Sequence, residues 1–271
     1  MIESAPAKIN LALVVGPLRA DGKHEVATVL EHVDLADTIA AERAEALTVG
    51  GFPGDTLVRR ALEEIATAVG VTPGFAATIE KRIPVAAGLG GGSSDAAAAL
   101  RLANALLGDP LVADELAAVA TRLGADVPFF LRRGAQLGTG DGSTLEPLDL
   151  PTGYHALLWL PEGAVKESTA HVYARFDERG GEQGFAARRE ALLAAVAQVR
   201  WPEDLARLPG NDLAASPLAE ELVARGAFRA DVSGAGPALY GLFAERRDAV
   251  AAADDLGGRG RIWLAQPCWY G

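Results

Sequence analysis

The sequence predicts an α+β fold divided into two domains. Strand-like stretches with period-2 apolar alternation are followed by helix-like stretches with an apolar stripe in both halves, without the regular strand–helix alternation of a doubly wound sheet. Residues 147–153, with Pro147, Pro151 and Gly153, separate the halves and place the expected domains at 1–149 and 150–271. With 271 residues, 49% of them apolar, the chain has material for a core in each.

The elements follow in order. Ile9, Leu11, Leu13 and Val15 put a bulky apolar side chain at every odd position, the pattern of a half-buried strand, and Asp21-Gly22 supplies the turn of a hairpin. Leu57, Ala61, Leu62, Ile65 and Val69 share one face, which predicts a helix over 55–69, capped by Asp55 and closed by Gly70. Residues 75–82 read as a strand entering Pro84. Residues 94–107 are nearly all alanine or larger apolar side chains and stop at Gly108, as suits a helix buried on several sides. A third helix is expected over 112–123 on the stripe Leu116, Val119, Ala120 and Leu123, with Gly124 as its left-handed stop and a restart at Asp126. Gly134, Gly138, Gly140 and Asp141-Gly142 then predict hairpin turns. In the second half, 154–160 reads as a strand, 185–199 and 217–225 as helices, and 231–243 as strand, glycine turn, strand.

Charge and composition exclude several functions. With 25 basic against 36 acidic residues the net charge is −11, opposite to what a nucleic-acid partner requires. The single cysteine, Cys268, has no partner for an intrachain disulfide, and Glu3, Lys8 and Arg19 flank no signal-like apolar core, so a cytoplasmic protein is expected. No apolar run reaches the ~18 residues of a membrane span. His32, His155 and His171 show no paired metal-ligand spacing, and no protein metal site is expected.

The most informative stretch is Pro84-Val85-Ala86-Ala87-Gly88-Leu89-Gly90-Gly91-Gly92-Ser93-Ser94, set between an expected strand and an expected helix. Glycines remove Cβ atoms, so successive N–H groups can converge on a phosphate, and the helix behind adds the positive end of its dipole. Ser93 and Ser94 can cap that helix or meet a phosphate oxygen or Mg²⁺. The plain alternative is a flexible loop with a serine cap. A Walker A loop is excluded because no lysine follows Gly92, and a dinucleotide fingerprint because Ser93 stands where a glycine is needed.

The loop that remains resembles the second motif of the GHMP kinases, in the serine-rich form of the diphosphocytidyl-methylerythritol kinases. Four further stretches match in order. Ala5-Pro6-Ala7-Lys8-Ile9-Asn10-Leu11 resembles the first motif, followed by the Asp21-Gly22-Lys23-His24 element. Leu123-Gly124-Ala125-Asp126-Val127-Pro128-Phe129-Phe130 is similar to the catalytic segment. Val232-Ser233-Gly234-Ala235-Gly236-Pro237 resembles the third motif, and Gly210-Asn211-Asp212-Leu213 a second C-terminal element. The resemblance covers nearly the whole chain and implies a two-domain architecture with the active site between the domains. It further implies ATP with nucleotide-borne Mg²⁺, an alcohol acceptor, and a monomer or homodimer acting on a small molecule.

By the same resemblance Lys8 and Asp126 are catalytic, Asp126 taking the proton of the attacking hydroxyl and Lys8 keeping it ionised and neutralising phosphate charge. Taken alone, each has a plain reading, Asp126 as a helix cap and Lys8 as a solvated strand lysine. Asn10, His24, Thr169 and Tyr173 line the substrate pocket in the resemblance, with His24 at the edge of a cytosine ring and Tyr173 as an aromatic wall. The chain departs from the family where a stacking tyrosine is replaced by Lys23 and a phenylalanine by Leu30. Lys23 is then expected to cover a face of the base or meet the diphosphate. The departure keeps open a GHMP kinase acting on a homoserine, mevalonate or sugar-like alcohol, and beside it a non-catalytic nucleotide-binding protein.

Overall fold

The expected hairpin is the longest feature of the computed structural model, which describes residues 1–54, 57–165 and 167–268. Its arms are β1 (Ile2–Leu18) and β2 (His24–Arg43). The odd-position pattern predicted a half-buried strand, but residues 5–16 of β1 are buried on both faces. The even positions are Pro6, Ala12, Val14 and Gly16, small or apolar, with Lys8 and Asn10 as buried polar groups, so they too can enter a core. Both arms are long enough to serve the two compact units into which the chain divides: Met1–Ala7, Leu35–Val85 and Gly90–Arg133 in one, Lys8–Asp34, Ala86–Leu89 and Gly134–Gly271 in the other. The strands and helices mix without βαβ alternation, as the α+β prediction requires.

In the first unit, the far part of β2 pairs antiparallel with β4 (Phe75–Glu80), which pairs in parallel with β3 (Thr48–Gly50). Helices α1 (Leu57–Val69), α2 (Gly91–Leu106) and α3 (Ala113–Leu123) pack on one another. The expected cap, Asp55, lies outside the described residues. α1 buries Val58, Ala61, Leu62, Ile65 and Ala66, and α3 buries the predicted stripe of Leu116, Val119, Ala120 and Leu123. α2 buries nearly every residue from Ser94 to Asn104, as its alanine content predicts.

Two boundaries differ from the sequence reading. α2 begins at Gly91 rather than Ser94, because left-handed Gly90 (φ 72°) turns the chain and its carbonyl accepts the Ser94 N–H at 2.9 Å. Gly124 is extended (φ 170°, ψ 157°) instead of left-handed, and the following chain tightens into a short 3₁₀ turn, Pro128–Leu131. Gly70 and Gly108 do adopt the left-handed conformation after α1 and α2.

In the second unit, β2 pairs with β5 (Gln136–Gly140), which forms the expected hairpin with β6 (Thr144–Pro147). A separate antiparallel sheet has the order β10-β7-β9-β8, from β7 (His155–Pro161), β8 (Arg229–Val232), β9 (Leu239–Phe243) and β10 (Gly260–Ala265). Leu157, Trp159, Val232 and Phe243 of this sheet form a core with Leu222 of α6 (Leu218–Ala224) and Ala249 and Ala252 of α7 (Arg246–Asp255). A second core joins Leu13, Val15 and Val26 of the hairpin to Val172 and Phe176 of α4 (Thr169–Glu178) and to Leu213. The helix expected over 185–199 is α5, Phe185–Val196. Among the described residues no helix is long and apolar enough to cross a membrane.

Candidate active site

Alternation along β1 carries Lys8 and Asn10 to the same face, and both are buried. The Lys8 ammonium donates to Asn10 Oδ1 at 2.5 Å, Asn10 Nδ2 donates to Thr28 Oγ1 at 2.9 Å, and Thr28 passes the chain to the Ala12 carbonyl at 2.7 Å. This relay fixes the lysine head from its own strand and from the neighbouring β2. An ionised amine out of water is costly unless it is paired or used, so the site is built to hold a cation at one position.

The third glycine motif closes around that cation. A Cβ on Gly234 would stand 3.2 Å from Lys8 Nζ and 3.3 Å from Asn10 Oδ1, and the φ of 58° is one that side chains rarely adopt. Asn211 pins this turn by donating to the carbonyls of Val232 (2.9 Å) and Gly234 (2.6 Å). Ser233 Oγ donates to the Gly88 carbonyl at 3.0 Å, Ala238 N to Ala87 O at 3.0 Å, and Lys8 N to Leu89 O at 3.0 Å. Residues 86–89 of the glycine loop are thus stitched to the Lys8 strand and to the 232–238 turn, all within the second unit.

The rest of the loop belongs to the first unit. Gly91, Gly92 and Ser93 form the opening turn of α2, where N–H groups lack helical acceptors. Ser94 is fully buried and its hydroxyl has no hydrogen-bond partner among the described residues, as is true of Asp95 Oδ1. Beneath this turn Lys81 lies between two carboxylates, donating to Asp37 Oδ2 at 2.5 Å and Asp95 Oδ2 at 2.7 Å. Asp37 Oδ1 also accepts the N–H groups of Arg82 (2.5 Å) and Ile83 (2.8 Å), which fixes the approach to Pro84 and Val85. Burial raises the Asp95 carboxyl to about 7 against the lowering effect of Lys81. Asp126 sits in the same unit, in the turn between α3 and the 3₁₀ segment, whose first flanking residue is Val127.

A second cluster of the second unit gathers at the turn end of the hairpin, where β2 begins at His24. His24 stacks on Tyr173 (centroids 4.7 Å apart, planes at 25°) and meets the edge of Phe176 at 5.9 Å, while its Nε2 lies 2.8 Å from Asp177 Oδ1. Thr169 opens the helix that carries Tyr173, which is capped by Ser168 accepting the His171 N–H. Lys23, by contrast, turns to the β5–β6 hairpin and pairs with Asp141 at 2.5 Å. Asp141 is held at about 2: partial burial pushes it up, and the bonds from Lys23 and Ser143 more than offset this.

Local sequence reading gave Ser233 only as a member of its motif, without a role, and missed Thr28, Lys81, Asp37 and Asp177. Only Asp177 carried a signal, lying four residues beyond Tyr173 and so on its helical face. The partners of Lys81 are joined only by folding.

The chain resembles known kinases throughout. Residues 56–134 match the GHMP kinases N terminal domain. A 4-diphosphocytidyl-2-C-methyl-D-erythritol kinase from Salinispora arenicola is 41% identical, over 93% of this chain and 86% of the relative. One from Nocardia farcinica is 42% identical, over 94% and 89%. Among solved structures, a 4-(cytidine 5'-diphospho)-2C-methyl-D-erythritol kinase covers all of both chains with a TM-score of 0.79 at 34% identity. A mevalonate kinase reaches the same TM-score at 14% identity, a likeness of fold alone. With such identity sustained along its length and the family's motifs folded into one buried-lysine cluster and one glycine-opened helix, the chain is a small-molecule kinase and belongs to the 4-diphosphocytidyl-2-C-methyl-D-erythritol kinase family.

Proposed function

We propose that this protein transfers the γ-phosphate of ATP to the 2-hydroxyl of 4-diphosphocytidyl-2-C-methyl-D-erythritol, a step in the non-mevalonate route to isoprenoid precursors. The observation that supports it best is the Lys8 ammonium, buried, anchored by Asn10 and bordered by a glycine where any side chain would crowd it. Phosphoryl transfer asks a protein chiefly for positioning and for charge stabilisation. In this reading Asp126 accepts the hydroxyl proton, and Lys8 holds Asp126 ionised and neutralises charge on the transferred group. Residues 84–94 cradle the nucleotide phosphates through backbone N–H groups. Mg²⁺ would arrive with ATP and neutralise phosphate charge; the Ser94 hydroxyl, without a hydrogen-bond partner among the described residues, is an oxygen suited to it or to a phosphate.

Asn10, His24, Thr169 and Tyr173 are assigned to the acceptor. Lys23, its charge already met by Asp141, contributes its aliphatic stem rather than its ammonium. Residues 1–149 form the ATP-binding domain in the family's sense and 150–271 the second, working in the cytoplasm as a monomer or homodimer. The test is an ADP-release assay over a panel of alcohols with the diphosphocytidyl alcohol first. We expect turnover on that compound to exceed turnover on mevalonate or homoserine by orders of magnitude. The observation favouring a second reading, a kinase of a smaller alcohol, is Lys23 where the family has a stacking aromatic. Activity confined to an alcohol without a nucleotide would establish that reading instead.

A further inference from the structure

We propose that Asp177 is a positioning residue that fixes the ring proton of His24 on Nε2, so that Nδ1 presents a lone pair selecting an amino-bearing pyrimidine; this rests on the cytidine-bearing substrate proposed above. A carboxylate only accepts hydrogen bonds, so the 2.8 Å contact between Asp177 Oδ1 and His24 Nε2 requires the proton to be on Nε2. In the neutral imidazole the other nitrogen is then an acceptor. Nδ1 makes no hydrogen bond among the described residues. The ring cannot turn over easily to exchange its nitrogens, because one face lies on Tyr173 and Phe176 abuts it edge-on.

The chemistry of the two pyrimidines separates cleanly at such a group. Cytosine offers the N4 amino group, a donor that a lone pair can accept from, whereas uracil places the O4 carbonyl there and two acceptors would face each other. The geometry of α4 supports a dedicated role. Tyr173 and Asp177 are four residues apart and therefore neighbours on one helical face, so one turn of helix supplies both the stacking wall and the carboxylate that orients the ring. Asp177 is half exposed, with 49% of its side chain accessible, and its removal leaves the buried neighbours Val172 and Phe176 in place.

Two measurements test this. In protein labelled with ¹⁵N-histidine, the His24 ring, assigned by its loss in His24→Gln, is expected to show the Nε2–H neutral tautomer at pH 8. A Nδ1–H tautomer or a doubly protonated ring overturns the proposal. Titration with CDP and UDP is expected to show CDP binding about 10–100-fold tighter in the parent, the range for one satisfied against one opposed hydrogen bond. Asp177→Ala should collapse that ratio toward one, raise KM for the cytidine substrate more than it lowers kcat, and release the tautomer, and Asp177→Glu should restore part of each. A parent without CDP preference, or an alanine variant that keeps it, overturns the proposal. Failure of the functional reading shows separately, as CDP selectivity without phosphorylation of the cytidine-bearing alcohol.

Discussion

Glu31 stands on β2 with 1% of its surface accessible, one carboxylate oxygen accepting the His32 N–H at 3.1 Å and the other without a hydrogen-bond partner among the described residues. Burial pushes its carboxyl up to about 8, only partly countered by the His32 bond. The folded state therefore holds a proton that the unfolded chain releases near 4.5. Stability from this group is full below pH 4.5 and drains as pH rises through about 8, by at most ~1.4 kcal/mol per pH unit. Glu31→Gln should match or slightly undercut the parent in urea at pH 5 and exceed it at pH 8.5; equal pH slopes for the two proteins would show that Glu31 is ionised in the fold. A second expectation at this scale concerns Asp126. If it is the base, Asp126→Asn lowers turnover by roughly 10²–10⁴-fold with little change in ATP affinity, in a coupled assay. Lys8, Asn10 and His24 were legible because their motif neighbours are contiguous in sequence. Thr28 and Asp177 were not, because each acts on a motif residue 18 or 153 positions away.

At the scale of elements, the strand of Asp37, the end of β4 and the first turn of α2 are joined by one lysine. Replacing Lys81 with methionine leaves two buried carboxylates facing each other, and the expected loss is about 3–5 kcal/mol in urea unfolding, partly recovered by adding Asp95→Asn. An unchanged midpoint would mean that solvent already screens the triad. The glycines of the loop separate into two kinds. A Cβ on Gly88 would fall 2.2 Å from the Ser233 carbonyl oxygen at a φ of 86°, so that glycine is demanded by the fold. A Cβ on Gly92 meets only Leu57 Cδ1, at 3.7 Å, in ordinary contact. Gly92→Ala should therefore stabilise α2 by up to about 1 kcal/mol. Were the glycine kept for close approach of phosphate, the same variant should bind ATP about tenfold more weakly; a raised melting temperature with unchanged ATP affinity would confine phosphate contact to the other glycines. Elements with strong apolar stripes were legible from sequence, and α7 and β10 were not. α7 buries only two alanines, and β10 is an edge strand whose alternation is broken by partly exposed Ile262, Trp263 and Leu264.

At the scale of the whole molecule, the α+β class was legible, and the way the chain builds its compact units was not. Local patterns mark where a strand begins but do not say that one strand will serve two cores, as β1 and β2 do. This has a consequence for residues 150–271 expressed alone. In the intact chain Leu13, Val15 and Val26 share a core with Val172, Phe176 and Leu213. The Val15 N–H donates to Asp212 Oδ2 at 2.9 Å, the Asp212 N–H to the Leu13 carbonyl at 2.9 Å, and Arg188 Nη2 to the Val15 carbonyl at 2.9 Å. A fragment beginning at residue 150 lacks the whole hairpin side of that core and leaves Asp212 and Arg188 without these partners. It does retain the β10-β7-β9-β8 sheet with α6 and α7, so secondary structure should persist. The expected product has native-like far-UV circular dichroism, a flattened near-UV spectrum and a broad urea transition, the signs of lost tertiary packing. Co-expression with 1–149 should restore a single sharp transition, because the hairpin can then dock as it does in the continuous chain. If the 150–271 fragment alone melts cooperatively with an intact near-UV spectrum, its four-stranded sheet is a self-sufficient domain and the hairpin core is an addition to it.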